Sequence, residues 1–162
     1  MNDNNPNLKC FLDTNLLIYA WDNTEQSKKN LIIPFLNYVK EKSFPVISTQ
    51  TLGEFFNVAV KKIGLTEEQG YVICEEYSKL FPVYEISTEN VLHAMKISKE
   101  TQYSYWDSLI IAMAIDTGCS VLYSEDLYPY PLKTDTRSFF PTIFLFLSRY
   151  SISIEVSSIY LF

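Results

Sequence analysis

The chain has 162 residues, of which 48% are hydrophobic, and carries a formal net charge of −6. This length suits one domain with a full core and is short for two. Its apolar runs stay below the about 18 residues that a membrane-spanning helix needs, which argues against an integral membrane protein. The negative net charge argues against binding a polyanion through a basic surface. If several of the acidic side chains held a metal ion, however, the bound cation would reverse the charge at that place.

The three cysteines, Cys10, Cys74 and Cys119, are odd in number, far apart and set in apolar runs. We expect them to be buried, reduced thiols. The first residues carry neither the basic patch nor the apolar segment that is typical of a signal peptide. Together these features predict a cytoplasmic protein.

Apolar segments and helical periodicity alternate along most of the chain. The segments that predict strands are 9–15, whose apolar part stops at Asp13, and 45–47, 82–86 and 120–123. The periodicity predicts helices over 16–21, 25–42, 49–63, 66–80, 88–99 and 105–117. Pro34 predicts a kink or a division of the second helix, and Thr66 with Gln69 forms a capping-box pattern. Such alternation indicates a single α/β domain with a mainly parallel sheet.

Four acids from separate segments are expected at one edge of that sheet. Asp13 ends the first strand and Asp126 follows the fourth, so both lie at the carboxyl edge. Glu54 and Asp107 stand near the starts of helices that return antiparallel to the strands, and such helices begin at the same edge.

Each acid also has a structural explanation. Asp13 could cap a helix and Asp126 could serve a turn, while Glu54 and Asp107 could close capping boxes with the Thr or Ser three residues earlier. Convergence of all four is harder to explain by caps, because like charges at close range repel unless a cation joins them. The set therefore predicts a divalent metal site.

The donors in this predicted site are all carboxylate oxygens, which favours Mg²⁺ or Mn²⁺ over Zn²⁺. Such a site suits metal-assisted hydrolysis of phosphodiesters. A histidine-based triad would depend on His93 alone, and the chain has neither a glycine-rich phosphate loop nor a zinc-type cysteine pair. Tyr103, Tyr105 and Trp106 could form a stacking surface for bases, although we expect Trp106 to pack in the core.

Four segments of the chain together resemble the PIN domain, and most closely the VapC-type toxin ribonucleases of bacterial toxin–antitoxin modules. They are Phe-Leu-Asp-Thr-Asn at 11–15, Ile-Ser-Thr-Gln-Thr-Leu-Gly-Glu-Phe at 47–55, Tyr-Trp-Asp-Ser-Leu-Ile at 105–110 and Leu-Tyr-Ser-Glu-Asp-Leu at 122–127. Their order and spacing match the family over residues 8–128. The resemblance implies a three-layer α/β/α sandwich and a Mg²⁺- or Mn²⁺-dependent endoribonuclease.

The resemblance also implies roles for particular residues. The family's catalytic acids correspond to Asp13, Glu54, Asp107 and Asp126. Apart from the resemblance, we assign Asp13, Asp107 and Asp126 as the metal ligands, and our hypothesis for Glu54 is that it orients the attacking water as a base rather than binding the metal. Asn15 and Ser124 match polar positions that support the cluster. By the same resemblance the protein would form a homodimer, act on RNA and be silenced by a small antitoxin protein.

The end of the chain departs from the family pattern. We expect residues 1–128 to form the nuclease domain and residues 129–162 to form an atypical tail that packs on or extends it, with one or two strands over 150–162. The alternative function is a catalytically silent PIN-like module that binds RNA or protein. A phospho-receiver is disfavoured because Asp13 lacks a second acid beside it. The complete quartet favours the nuclease, since a silent copy has no physical need to keep four repelling acids.

Overall fold

Strand β1 (Lys9–Leu12) lies inside the sheet, between β2 (Phe44–Ser48) and β4 (Val121–Ser124), and runs parallel to both. Strand β3 (Val83–Tyr84) extends the sheet beside β2, also in parallel. These four strands confirm the predicted ones, although β3 is shorter than expected. The computed structural model describes residues 8–125, 127, 142–146 and 153–155.

Two further strands continue the sheet beyond β4. Strand β5 (Thr142–Phe146) pairs in parallel with β4, and β6 (Ser153–Glu155) pairs antiparallel with β5. The strand order is therefore β3-β2-β1-β4-β5-β6. A strand within 150–162 was expected, and β6 lies there. The rest of the predicted tail lies outside the described residues, and the division of the chain at residue 128 stays a prediction.

The helices follow the predicted pattern closely. They are α1 (Thr14–Tyr19), α2 (Gln26–Lys42), α3 (Thr49–Val58), α4 (Glu67–Leu80), α5 (Thr88–Glu100) and α6 (Tyr105–Asp116). Helix α2 runs continuously through Pro34, so of the two predicted alternatives the division into two helices is wrong and the kink stays a prediction. One missing N–H bond does not end a helix whose flanking turns stay intact on both sides.

The start and end of the third helical segment are fixed by local chemistry. Ser48 accepts a hydrogen bond from the backbone of Thr51 and completes a capping box at the start of α3. After α3 the chain continues as a π-helical turn, Ala59–Ile63, and ends at Gly64 in the left-handed region at φ 82°. The capping box predicted for Thr66 and Gln69 is present at the start of α4. Short-range signals thus set where these helices begin.

The sheet is covered on both faces, as the side chains of β1 show. Phe11 packs in a cluster with buried residues of α5 and α6. Cys10 and Leu12 belong to a second cluster, formed with α1, α2, α3 and α4. Because successive strand residues point to opposite faces, these two clusters place helices on each side of the sheet. The α/β/α sandwich is confirmed. None of the described helices combines the length and apolarity needed to cross a membrane.

The cysteines are unpaired thiols, as expected. Cys10 and Cys119 are buried and Cys74 is half-buried. Burial raises the pKa of Cys10 to about 12 and raises the pKa of Cys119 and Cys74 as well. The thiolate is the reactive form, so a raised pKa protects each thiol at neutral pH.

We expect the folded protein to resist alkylation by iodoacetamide at pH 8, with Cys74 reacting before Cys10 and Cys119. At that pH nearly all Cys10 side chains are protonated, because the pH lies well below the raised pKa of the thiol. Peptide mass spectrometry over time measures each site, and the urea-unfolded chain is the control. Equal labelling rates for Cys10 in the folded and unfolded chains would contradict this burial.

Candidate functional site

Asp13 follows β1 directly and sits at the carboxyl edge of the sheet. Its Oδ1 accepts a hydrogen bond from the backbone N–H of Thr14 at 2.6 Å, so it caps α1. Its Oδ2 accepts bonds from the hydroxyl of Ser124 at 2.5 Å and from the amide of Asn15 at 3.2 Å. The capping explanation therefore holds, and the carboxylate also contacts both residues that were expected to support it.

Glu54 lies on α3 and is bonded at both of its carboxylate oxygens. The hydroxyl of Thr14 donates to Oε2 at 2.8 Å, and the side-chain amide of Gln50 donates to Oε1 at 2.8 Å. The capping-box explanation for Glu54 is wrong, because Thr51 pairs with Ser48 instead. Glu54 thus connects α3 to the start of α1.

Asp107 stands in the first turn of α6 and is half-buried. Its backbone N–H donates to the hydroxyl of Ser104 at 3.1 Å, and that hydroxyl donates to its Oδ2 at 2.7 Å. The side chain is therefore tied to the helix cap, as the structural explanation predicted in part. The bonds with Ser104 hold the Asp107 carboxylate at the start of α6.

A path of hydrogen bonds connects the segments that carry these acids. Gln50 links α3 to α6, because its amide nitrogen also lies 3.4 Å from the carbonyl oxygen of Trp106, the residue before Asp107. Thr14 links Asp13 to Glu54 from the other side. The donors are neutral, and within the described chain no ion pair joins Glu54 or Asp107 to a cation. Among the described residues, Glu54 and Asp107 are therefore held by neutral donors rather than by a cation.

The predicted metal site is not assembled from the described residues alone. Among them, no three acidic, histidine or cysteine side chains lie close enough to hold a metal ion. Asp126, the fourth predicted acid, lies outside the described residues. The donor chemistry still suits a hard cation, because each candidate ligand is a carboxylate. The metal site stays a prediction.

A basic side chain beside the candidate site escaped the sequence analysis. Lys28 on α2 forms an ion pair with Glu125 at 2.9 Å and donates a hydrogen bond to the Tyr19 hydroxyl at 2.8 Å. Burial raises the pKa of Tyr19 to about 12, which keeps this phenol neutral. Helical periodicity places Lys28 on the outer face of α2. It cannot predict the ion pair with Glu125, because that residue lies far along the chain.

Trp106 does not pack in the core, contrary to the expectation. Its side chain is 61% exposed, and its ring contacts Tyr105 edge-on with centroids 5.1 Å apart. Tyr103 is buried, as a core role requires. The buried face of α6 begins with Ser108 and the residues after it, so Trp106 in the first turn stays outside. Gln50 contacts the backbone carbonyl of Trp106, so the exposed indole belongs to a residue that Gln50 helps to hold.

Comparison with known proteins places this fold in a family. The model of the PIN domain family matches residues 10–128. Solved structures of similar fold include DNA-bound VapBC from Salmonella typhimurium, at 24% identity and a TM-score of 0.55, covering 74% of this chain and 88% of that one. VapBC2 from Rickettsia felis, bound to a promoter DNA fragment, is 19% identical with a TM-score of 0.55, covering 73% of this chain and 87% of that one.

A third similar structure is VapC20 from Mycobacterium tuberculosis, described as a toxin that cleaves the sarcin-ricin loop. It is 17% identical, has a TM-score of 0.53, and the match covers 70% of this chain and 86% of that one. At these identities the likeness concerns the fold. Curated protein sequences gave no significant match. The matched range runs from β1 to beyond β4 and includes the helices that carry Glu54 and Asp107, and the chain therefore belongs to the PIN domain family.

Proposed function

We propose that this protein is a metal-dependent endoribonuclease and the toxin of a toxin–antitoxin module. PIN domains are typically nucleases. The observation that carries the proposal is Glu54, whose two oxygens are held by Thr14 and Gln50 on the path that connects Asp13 to the start of α6. A carboxylate fixed at both oxygens by neutral donors is oriented without losing its charge, as proton transfer requires.

Asp13, Asp107 and Asp126 are the residues that would hold the metal. These residues suit a metal ion because each offers carboxylate oxygens. In addition, no cation of the described chain forms an ion pair with Asp107. When bound, Mg²⁺ or Mn²⁺ supplies an activated water and stabilises charge on the phosphate. Ser124 and Asn15 hold Asp13 in place for this purpose, since both donate to its Oδ2.

Glu54 is proposed to take the proton from the attacking water. The water oxygen forms a new bond to phosphorus while the bond from phosphorus to the leaving ribose oxygen breaks, and solvent protonates the leaving oxygen. Thr14 and Gln50 fix the plane of the carboxylate during this transfer. Correct orientation of the base is a large part of such catalysis.

The proposed partner is a small antitoxin protein, and its support is that similar structures include VapBC complexes from Salmonella typhimurium and Rickettsia felis. A cytoplasmic homodimer is proposed as the assembly. The competing function is a PIN-like module that binds RNA or protein without cutting. The experiment that follows separates the two.

We expect the purified protein to cleave a mixed RNA pool with Mg²⁺ or Mn²⁺ and to stop when a chelator is added. Asp107→Asn should lower the cleavage rate by about 100-fold or more, because one candidate metal ligand loses its charge. Asp116→Asn is the matched control, since it makes the same change at the far end of α6, where Asp116 contacts His93. Denaturing gels and sequencing of the cut ends provide the readout. Folded, metal-binding protein that leaves RNA intact would favour the silent module.

Glu54→Gln should slow cleavage by about 100-fold while metal affinity stays close to that of the wild type. Glutamine keeps the shape of the side chain and can still accept from Thr14, but it cannot take a proton. Single-turnover rates and calorimetric Mn²⁺ titrations measure the two effects separately. Cleavage at the wild-type rate would exclude Glu54 as the base.

Trp106 is proposed to stack on a base of the RNA, because its indole is exposed beside the residue that carries Asp107. Stacking of one base on an aromatic ring is worth about 1–3 kcal/mol. We expect Trp106→Ala to raise KM by about tenfold with little change in kcat, and Trp106→Phe to stay near wild type. Leu92→Ala, at an exposed apolar position on α5, serves as the control. An unchanged KM in Trp106→Ala would refute the stacking role.

A further inference from the structure

Gln50 carries a polar amide group at a buried position, where a polar atom without a partner lowers the stability of the fold. It lies in the first turn of α3 and is only 9% exposed. Its amide nitrogen donates to Oε1 of Glu54 at 2.8 Å and lies 3.4 Å from the carbonyl oxygen of Trp106. Both neighbours are acceptors, so the orientation of the amide is fixed: the nitrogen faces them and the oxygen faces away.

The amide oxygen of Gln50 is buried and has no hydrogen-bond partner in the described part of the chain. Burying a polar atom without a partner destabilises a folded protein, and such atoms are uncommon enough to need an explanation. An apolar side chain of similar length would remove the unpaired oxygen, but it would also remove the donor to Glu54 and to the Trp106 carbonyl. The reason for an amide here therefore lies in the two groups that its nitrogen contacts.

We infer that Gln50 is a positioning residue, which acts through Glu54 in the ribonuclease reaction proposed above and rests on that proposal. Its NH₂ group bonds an acid of α3 and the backbone of α6 at the same time, so it fixes Glu54 relative to the helix that begins with Asp107. The unpaired oxygen is the consequence of this role, because an amide cannot supply its two N–H donors without also burying its carbonyl.

The contacts of Glu54 show what removal of Gln50 would change. Within the described chain, Thr14 would remain as the donor to Oε2, and Oε1 would lose its partner. A carboxylate held at one oxygen rotates about that bond. Since small displacements of a catalytic group cost large factors in rate, the effect should fall on kcat rather than on substrate binding.

The test is Gln50→Met, which keeps the length and volume of the side chain and removes both the donors and the unpaired oxygen. We expect a melting temperature close to that of the wild type, because removal of the unpaired oxygen offsets the loss of the donor to Glu54. We also expect an unchanged KM and a kcat lower by about 10- to 100-fold. Gln69→Met is the matched control, since Gln69 caps α4 through the backbone of Thr66. It should show the opposite result, a lower melting temperature and an unchanged kcat.

A double variant separates positioning from packing. If Gln50 acts through Glu54, adding Gln50→Met to Glu54→Gln should cause no further loss of kcat, because the group that it orients is already disabled. A second full loss in the double variant would overturn the proposal. So would a Gln50→Met protein that cleaves at the wild-type kcat, or one whose lost activity is accounted for by its unfolded fraction.

A readout without RNA keeps the inference testable even if the wild type proves inactive. The carboxyl carbon of Glu54, observed by NMR in the full chain, should shift or broaden in Gln50→Met and stay unchanged in Gln69→Met. An unchanged Glu54 signal in Gln50→Met would overturn the positioning role by itself. Absence of cleavage by the wild type, with the Glu54 signal shifted as expected, would instead count against the proposed ribonuclease.

Discussion

The pairing of β1 with a parallel strand on each side is the constraint on which the candidate site depends. Phe11 pairs with Val46 of β2 and with Leu122 of β4. The pairing with β4 continues just beyond the end of β1, where the N–H of Asp13 donates to the carbonyl of Tyr123 at 3.0 Å. It also brings Ser124 to the carboxylate of Asp13. A slip of one residue would turn every β1 side chain to the opposite face and separate this pair.

Structural roles are combined with the proposed chemical roles in the same side chains at this edge. Asp13 caps α1, and Asp107 is bonded to the cap of α6, yet both remain carboxylates at the ends of their elements. Hydroxyl and amide groups hold these acids, and Glu54 is held in the same way by Thr14 and Gln50. For Glu54 and Asp107, the neutral donors fix the position of the carboxylate while leaving its charge available, whereas a lysine or arginine partner would cancel that charge.

The sequence predicted those parts of the structure that depend on neighbours in the chain. The helix starts at Ser48 and Thr66 follow from capping chemistry, and the buried strands follow from their apolar runs. Contacts between distant segments left no such signal, which is why Gln50 and the partner of Lys28 were missed. Trp106 was misjudged because an apolar residue in a first helical turn can face either way, and periodicity is weakest at a helix end.

The order of strands in the sheet has a consequence for synthesis of the protein. Strand β1 is made first among the six strands but lies between β2 and β4, so its second neighbour is translated more than a hundred residues later. Until Val121–Ser124 has left the ribosome, one edge of β1 has no strand to pair with and Asp13 has no hydroxyl from Ser124. An incomplete chain that ends before β4 therefore cannot hold Asp13 as the folded protein does, and this part of the candidate site forms only after β4 has been made.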